Sequence, residues 1–140
     1  MEKYIGLDLG TTTLGVATSD ALGFVHGIET FKFDANAYSH ARKYVHDLVL
    51  KTGIKNIVLG LPLNKDGTEG EASKRTLIFK DKLLEEDPSL RIVLQDERFT
   101  TISAYRTLNE LNVKGKNRKT SVDRLAACEI LDFYLKTKGV

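Results

Sequence analysis

Residues 4–20 read YIGLDLGTTTLGVATSD, and this stretch decides the fold. Two alternating runs flank a polar turn, which is the pattern of a β-hairpin. Strand side chains alternate, so Ile5, Leu7 and Leu9 share one face while Tyr4, Gly6, Asp8 and Gly10 share the other. The second run repeats this: Leu14, Val16 and Thr18 on one face, Gly15, Ala17 and Ser19 opposite. One side of the hairpin is therefore apolar and the other mostly small, with a single carboxylate standing on it. Glycine weakens a strand interior unless something must approach the backbone closely. An ionised aspartate in a central strand is costly unless it is paired, hydrogen-bonded or bound to a metal. On the hairpin alone, Asp8 is equally well a satisfied structural carboxylate or a functional group.

Working outward, Phe24 to Phe33 reads as a third strand after the turn-like Asp20-Ala21-Leu22-Gly23. Ala37, Ala41, Tyr44, Val45 and Leu48 recur at helical spacing and predict a helix over 36–52, with Gly53 as its stop. Ile54 to Leu61 is an apolar run, a strand buried on both faces, ended by Pro62. Thr68 is a candidate cap for a helix running to about Glu86, and Arg91 to Gln95 supplies a further strand. Thr100 or Thr101 caps a helix to about Asn112. Residues 113–119, VKGKNRK, have no period and read as an exposed basic loop. Ser121 caps a last helix that buries Val122, Leu125, Ala126 and Phe133. The order β-β-β-α-β-α-β-α-α predicts one α/β domain over 1–140. Its five-stranded sheet is mixed, with three antiparallel strands followed by parallel ones joined through helices.

Ligands in open α/β sheets bind beyond the carboxyl ends of the parallel strands. The first strand ends at Asp8-Leu9-Gly10, the fourth at Gly60 to Asn64, the fifth at Asp96-Glu97-Arg98, so these polar stretches should meet at one edge. Asp123, in the first turn of the predicted last helix, either complements the helix dipole or completes a three-carboxylate cluster with Asp8 and Glu97. Three acids at close range need cations or protons between them. Hard ions such as Mg²⁺ or Mn²⁺ prefer oxygen ligands, and a pair roughly 3.5–4 Å apart supports phosphodiester cleavage. Lys114, Lys116, Arg118, Lys119 and Arg124 lie next to Asp123 and are candidates to hold a phosphate backbone. Arg98 is a candidate to touch a phosphate or neutralise a carboxylate. Asp96 alternates with Glu97 and points to the other face. Asn64, Asp66 and Thr68 fit helix capping as well as substrate contact.

Composition narrows the class. The chain of 140 residues is 41% hydrophobic and 29% charged, ordinary for a soluble globular protein. No apolar run approaches the roughly 20 residues that span a bilayer, and the first residues lack a secretory signal pattern. The single cysteine, Cys128, lies in a helical apolar pattern and reads as a buried, inert thiol in a reducing compartment. His26, His40 and His46 have no zinc-like spacing. The net charge of +2 does not by itself argue for nucleic acid.

The motifs GLDLG at 6–10 with GVATSD at 15–20, GLPLNKDGTEG at 60–70, DERFTT at 96–101 and KTSVDRLAA at 119–127 occur in that order. Together they resemble the YqgF family, described both as Holliday junction resolvases and as pre-16S rRNA nucleases. The resemblance implies a ribonuclease H-like fold, with Asp8, Glu97 and Asp123 as metal-binding catalytic acids. It also implies cytoplasmic processing of the 5′ end of precursor small-subunit ribosomal RNA, alone or in ribosomal particles, with four-way DNA as the alternative substrate. The chain departs from the family in carrying Thr11-Thr12-Thr13 where members have a basic residue after the first glycine turn. DLGTTTLG also resembles the phosphate loop of actin-like and sugar-kinase ATPases. Those enzymes close two such domains around ATP, and this chain supplies one. A non-catalytic nucleic-acid or ribosome-binding module is the third class.

Overall fold

The computed structural model describes residues 1–97 and 116–138, with side chains over 1–97 and 124–138. The elements are β1 (Ile5–Leu9), β2 (Thr13–Ser19), β3 (Val25–Lys32), α1 (Tyr38–Thr52), β4 (Asn56–Leu61), α2 (Glu71–Glu86), β5 (Arg91–Asp96) and α3 (Lys116–Lys138). The sheet order is β3-β2-β1-β4-β5. β1–β2 and β2–β3 pair antiparallel, and β1–β4 and β4–β5 pair parallel. This is the mixed sheet expected from the sequence. β1 lies at its centre, and all five of its residues are buried.

The alternation of the hairpin sorts the two cores. Ile5, Leu7, Leu9, Leu14 and Val16 join Ile57 and Leu59 of β4 beneath α1 and α2. Tyr4, Ala17 and Val58 face the other way, against Ala126, Ala127, Ile130 and Leu131 of α3. Ala41, Val45 and Val49 form the buried stripe of α1. Gly53, at φ 75°, ends that helix by donating its N–H to the Val49 carbonyl, a conformation that favours glycine.

Two helix starts differ from expectation. Thr68 does not cap α2. Its hydroxyl accepts from Asn64 Nδ2 at 2.9 Å and donates to Asp66 Oδ1 at 2.6 Å, so it closes the preceding loop. The helix begins at Glu71, and the Gly70 N–H donates to Ser73 Oγ at 2.8 Å. The basic stretch is likewise not a loop throughout, because α3 starts at Lys116 rather than near Ser121. Gly115 is the last residue before it that disfavours helix, and Lys and Arg are good helix formers. Asp123 therefore lies about two turns into the helix, beyond the first turn where a dipole interaction would hold it. The buried stripe runs through Ala126, Ala127, Ile130 and Leu131, leaving Leu125 and Phe133 half-buried. The expected helix from Thr100 or Thr101 to Asn112 lies outside the described residues. Among the described residues no helix is long and apolar enough to cross a membrane.

Candidate active site at the carboxyl edge of the sheet

β1, β4 and β5 are adjacent and parallel, so their carboxyl ends at Leu9, Leu61 and Asp96 lie at one edge. Asp8 stands near that edge and is buried, with 7% of its surface exposed. On β2 it pairs with Gly15. On β4 the register runs from Ile5↔Ile57 to Leu7↔Leu59, and one step further sets Asp8 beside Gly60. Along its own strand and face the neighbours are Gly6 and Gly10. The carboxylate is thus bordered by glycine in all four directions of the sheet surface.

These glycines make room for specific groups. A Cβ at Gly6 would lie 2.9 Å from Leu131 Cβ and 3.0 Å from the Ala127 carbonyl, so α3 rests directly on the strand there. A Cβ at Gly60 would lie 2.4 Å from Ile130 Cδ1, 3.1 Å from Glu97 Cδ and 3.2 Å from Glu97 Oε2. The Glu97 carboxyl therefore lies over Gly60, on the α3 face, and Gly60 is the residue beside Asp8. The Glu97 N–H donates to the Leu61 carbonyl at 3.2 Å, extending the β4–β5 pairing past the strand end. Asp96 is in register with Leu61 and takes the alternate face, as read from the sequence.

Asp123 is placed by its backbone alone. Tyr134 meets the Tyr4 ring edge-on at 5.6 Å, while Ala127 and Leu131 meet Gly6. Hence α3 runs antiparallel to β1, and its earlier turns pass Asp8. Asp123 lies one turn before Ala127 on the same helical stripe, at the turn that follows toward the Asp8 edge. Among the described side chains no group of three or more His, Cys, Asp or Glu is gathered to hold a metal, and the Asp123 side chain lies outside them.

Of the predicted phosphate contacts, Lys116, Arg118 and Lys119 fall in the opening turn of α3. Arg124 is exposed, and its stem lies against the β3 edge, where a Cβ at Gly27 would be 3.0 Å from Arg124 Cγ. Arg98 and Lys114 lie outside the described residues. The loop after β4 closes on itself through Asn64, Asp66 and Thr68. Thr11 is exposed at the hairpin turn, while Thr13 is buried. Burial pushes the Cys128 thiol up, which keeps it protonated and fits the inert role read from its position. Gly60 is the site residue that the sequence did not single out. Its signal was a glycine inside an otherwise apolar strand.

A protein-family model described as RuvX, Holliday junction resolvase, matches residues 2–137. A protein of Listeria monocytogenes strain CLIP80459 is 42% identical over 136 residues, which is 96% of this chain and 98% of the relative. One of Geobacillus sp. strain WCH70 is 41% identical over 137 residues, 97% and 99% of the two chains. One of Staphylococcus aureus strain JH9 is 37% identical over 134 residues, 95% and 94%. All three carry the name of a pre-16S rRNA nuclease. Among solved structures, T. thermophilus RuvC in complex with a Holliday junction substrate superposes with a TM-score of 0.62. The match is 12% identical and covers 99% of this chain and 97% of that one. It shows the fold, which is ribonuclease H-like.

Proposed function

This chain belongs to the RuvX (YqgF) family, and from that premise we propose that it is a nuclease that hydrolyses phosphodiester bonds in precursor 16S ribosomal RNA. The names of relatives 37–42% identical over nearly the whole chain support the substrate. We assign the chemistry to Asp8, Glu97 and Asp123 in a single cytoplasmic domain. The observation that carries this assignment is the Glu97 carboxyl lying over Gly60, the glycine beside Asp8. Two acids on one sheet face, with a third on the helix that crosses them, form an all-oxygen donor set suited to Mg²⁺ or Mn²⁺. When bound, such ions lower the pKa of an attacking water and stabilise the leaving oxygen.

The chain's own residues do the rest. The central strand fixes Asp8, and the missing side chain at Gly60 lets the Glu97 carboxyl settle onto the sheet beside it, so the two carboxylates lie close together for a phosphodiester. Lys116, Arg118, Lys119 and Arg124 on α3, with Arg98 and Lys114, hold the flanking phosphates. Ribosomal particles are a further partner under this reading. The family description supports one alternative, a four-way DNA junction as substrate.

The deciding experiment incubates the protein with labelled precursor 16S RNA and, separately, a four-way DNA junction, each with Mn²⁺ and with chelator. Cleavage of the RNA alone, lost with chelator, is the expected outcome. Cleavage of the junction alone transfers the assignment to resolution. Cutting of neither would remove the enzyme reading.

A further inference from the structure

On the sheet face away from Asp8, a cavity of about 600 Å³ opens between the start of α1 and one flank of α2. That volume suits a small ligand rather than a protein segment. Its lining mixes three chemistries. Tyr38, Ile78 and Phe79 give it apolar surface, and Ile78 is 56% exposed. Lys74, Arg75 and Lys82 bring three cations from α2, against the single carboxylate of Glu71.

Arg75 lines the cavity and is half-buried, so a ligand would meet the end of its guanidinium and not the inaccessible Nε. Its Nε is buried and has no hydrogen-bond partner among the described residues. Buried donors without a partner are rare in folded proteins. The neighbouring Arg42 shows the contrast, since its Nε reaches both Glu86 carboxylate oxygens at 3.1 Å. A guanidinium matches the oxygens of a phosphate, and flanking lysines add charge without geometry. A second copy of the chain is disfavoured, because an isologous contact would set this cationic flank against itself.

We propose that the α1/α2 cavity binds a nucleoside 5′-phosphate unit. The phosphate sits on Arg75 between Lys74 and Lys82, the base lies against Ile78 and Tyr38, and the ribose hydroxyls turn toward Glu71. Acidic residues take that last role in dinucleotide sites. The unit occurs both as a free mononucleotide and as the first residue of a 5′-phosphorylated RNA. The site is separate from the carboxylates at the sheet edge and does not depend on what they do.

The test is calorimetric titration of the whole protein with AMP, GMP, CMP and UMP, with inorganic phosphate, and with a short RNA bearing either a 5′-phosphate or a 5′-hydroxyl. At least one mononucleotide should bind saturably, one per chain, and more tightly than inorganic phosphate. Arg75→Gln should weaken it about tenfold or more. The exposed pair Lys74→Gln and Lys82→Gln should weaken it several-fold, which decides the matter if the Arg75 variant folds poorly. Amide shifts in NMR spectra should cluster at residues 36–42 and 71–82. Tighter binding of the 5′-phosphorylated RNA identifies an RNA end as the source, and equal binding of both RNAs identifies the free nucleotide. No saturable binding, shifts confined to the Asp8 edge, phosphate binding as tightly as any mononucleotide, or unchanged affinity in the lysine pair would each overturn the site. So would concentration-dependent dimerisation abolished by Ile78→Glu.

Discussion

On the face covered by α1 and α2, β1 contributes Ile5, Leu7 and Leu9, and the helices answer with Ala41, Val45, Val49, Phe79 and Leu83. On the opposite face the same strand contributes Tyr4, Gly6 and Asp8, and α3 answers with Ala127 and Leu131 pressed against the glycine backbone. Both faces are buried, but they are buried by different means. The first fills space with side-chain volume. The second removes volume so that a helix and the Glu97 carboxyl approach the sheet closely. The apolar face thus supplies stability through side-chain volume, and the glycine face gives up that volume for the close approach of α3 and Glu97.

Four single substitutions and one double variant break or sharpen that contrast, beginning with the largest effect. Asp8→Asn should lower RNA cleavage by at least about a hundredfold, on the scale of removing one electrostatic group from an active site. Its denaturation midpoint should stay near that of the parent, and normal turnover in this variant would sink the assignment. Leu83→Ala acts in the reverse sense. It opens a cavity in the α1/α2 core, with an expected loss of about 2–5 kcal/mol in urea unfolding. Activity per folded molecule should be kept, and a fall in that activity would show that the two faces are not separable.

Gly60→Ala lies between these two. The added methyl meets Ile130 Cδ1 and the Glu97 carboxyl, so we expect a loss of about 1–3 kcal/mol together with reduced cleavage. Adding Ile130→Val should relieve the crowding at the helix but not at Glu97. Stability should then return while cleavage stays low, and recovery of both would mean that Glu97 is not displaced.

The smallest effect belongs to the rim of the apolar face. Burial raises the Glu86 pKa, but hydrogen bonds from His46 and Arg42 outweigh it and hold the carboxyl below its ordinary value. A carboxylate with a lowered folded pKa contributes stability above its unfolded pKa of about 4.5 and loses it as pH falls through the folded value. Glu86 is largely solvated, so Glu86→Gln should cost no more than about 0.5 kcal/mol near neutral pH. Paired unfolding curves should show the difference closing in acid; a constant difference would point to packing instead.

Much of this was legible in the sequence because it rests on periodicity. The alternation over 4–20 sorted the two faces, and Gly53 marked the end of α1. The convergence of Asp8 and Glu97 followed from strand order alone. The starts of α2 and α3 were misread for a shared reason. Thr68 and Ser121 look like caps, but a cap is decided by which partner a hydroxyl finds, and Thr68 finds Asn64 and Asp66. The basic run before Asp123 looked structureless because it lacks an apolar period, although the Lys and Arg residues after Gly115 favour helix. Gly60 and Arg75 were hidden for a deeper reason. The importance of Gly60 lies in the space it leaves for Glu97 and Ile130, and that of Arg75 in a buried Nε with no partner among the described residues. Neither is a property of the local sequence.

The antiparallel seating of α3 on β1 also has a bearing on how the molecule comes into being on the ribosome. Chains fold as they emerge, with the earlier segments leading. The core beneath α1 and α2 has all its residues by Leu90, whereas the glycine face of β1 waits for Ala126 to Leu131. A chain synthesised only as far as Leu90 therefore lacks the residues that pack on the glycine face. Under the assignment proposed above, the three acids come together only once α3 has been synthesised, so cleavage belongs to the completed chain alone.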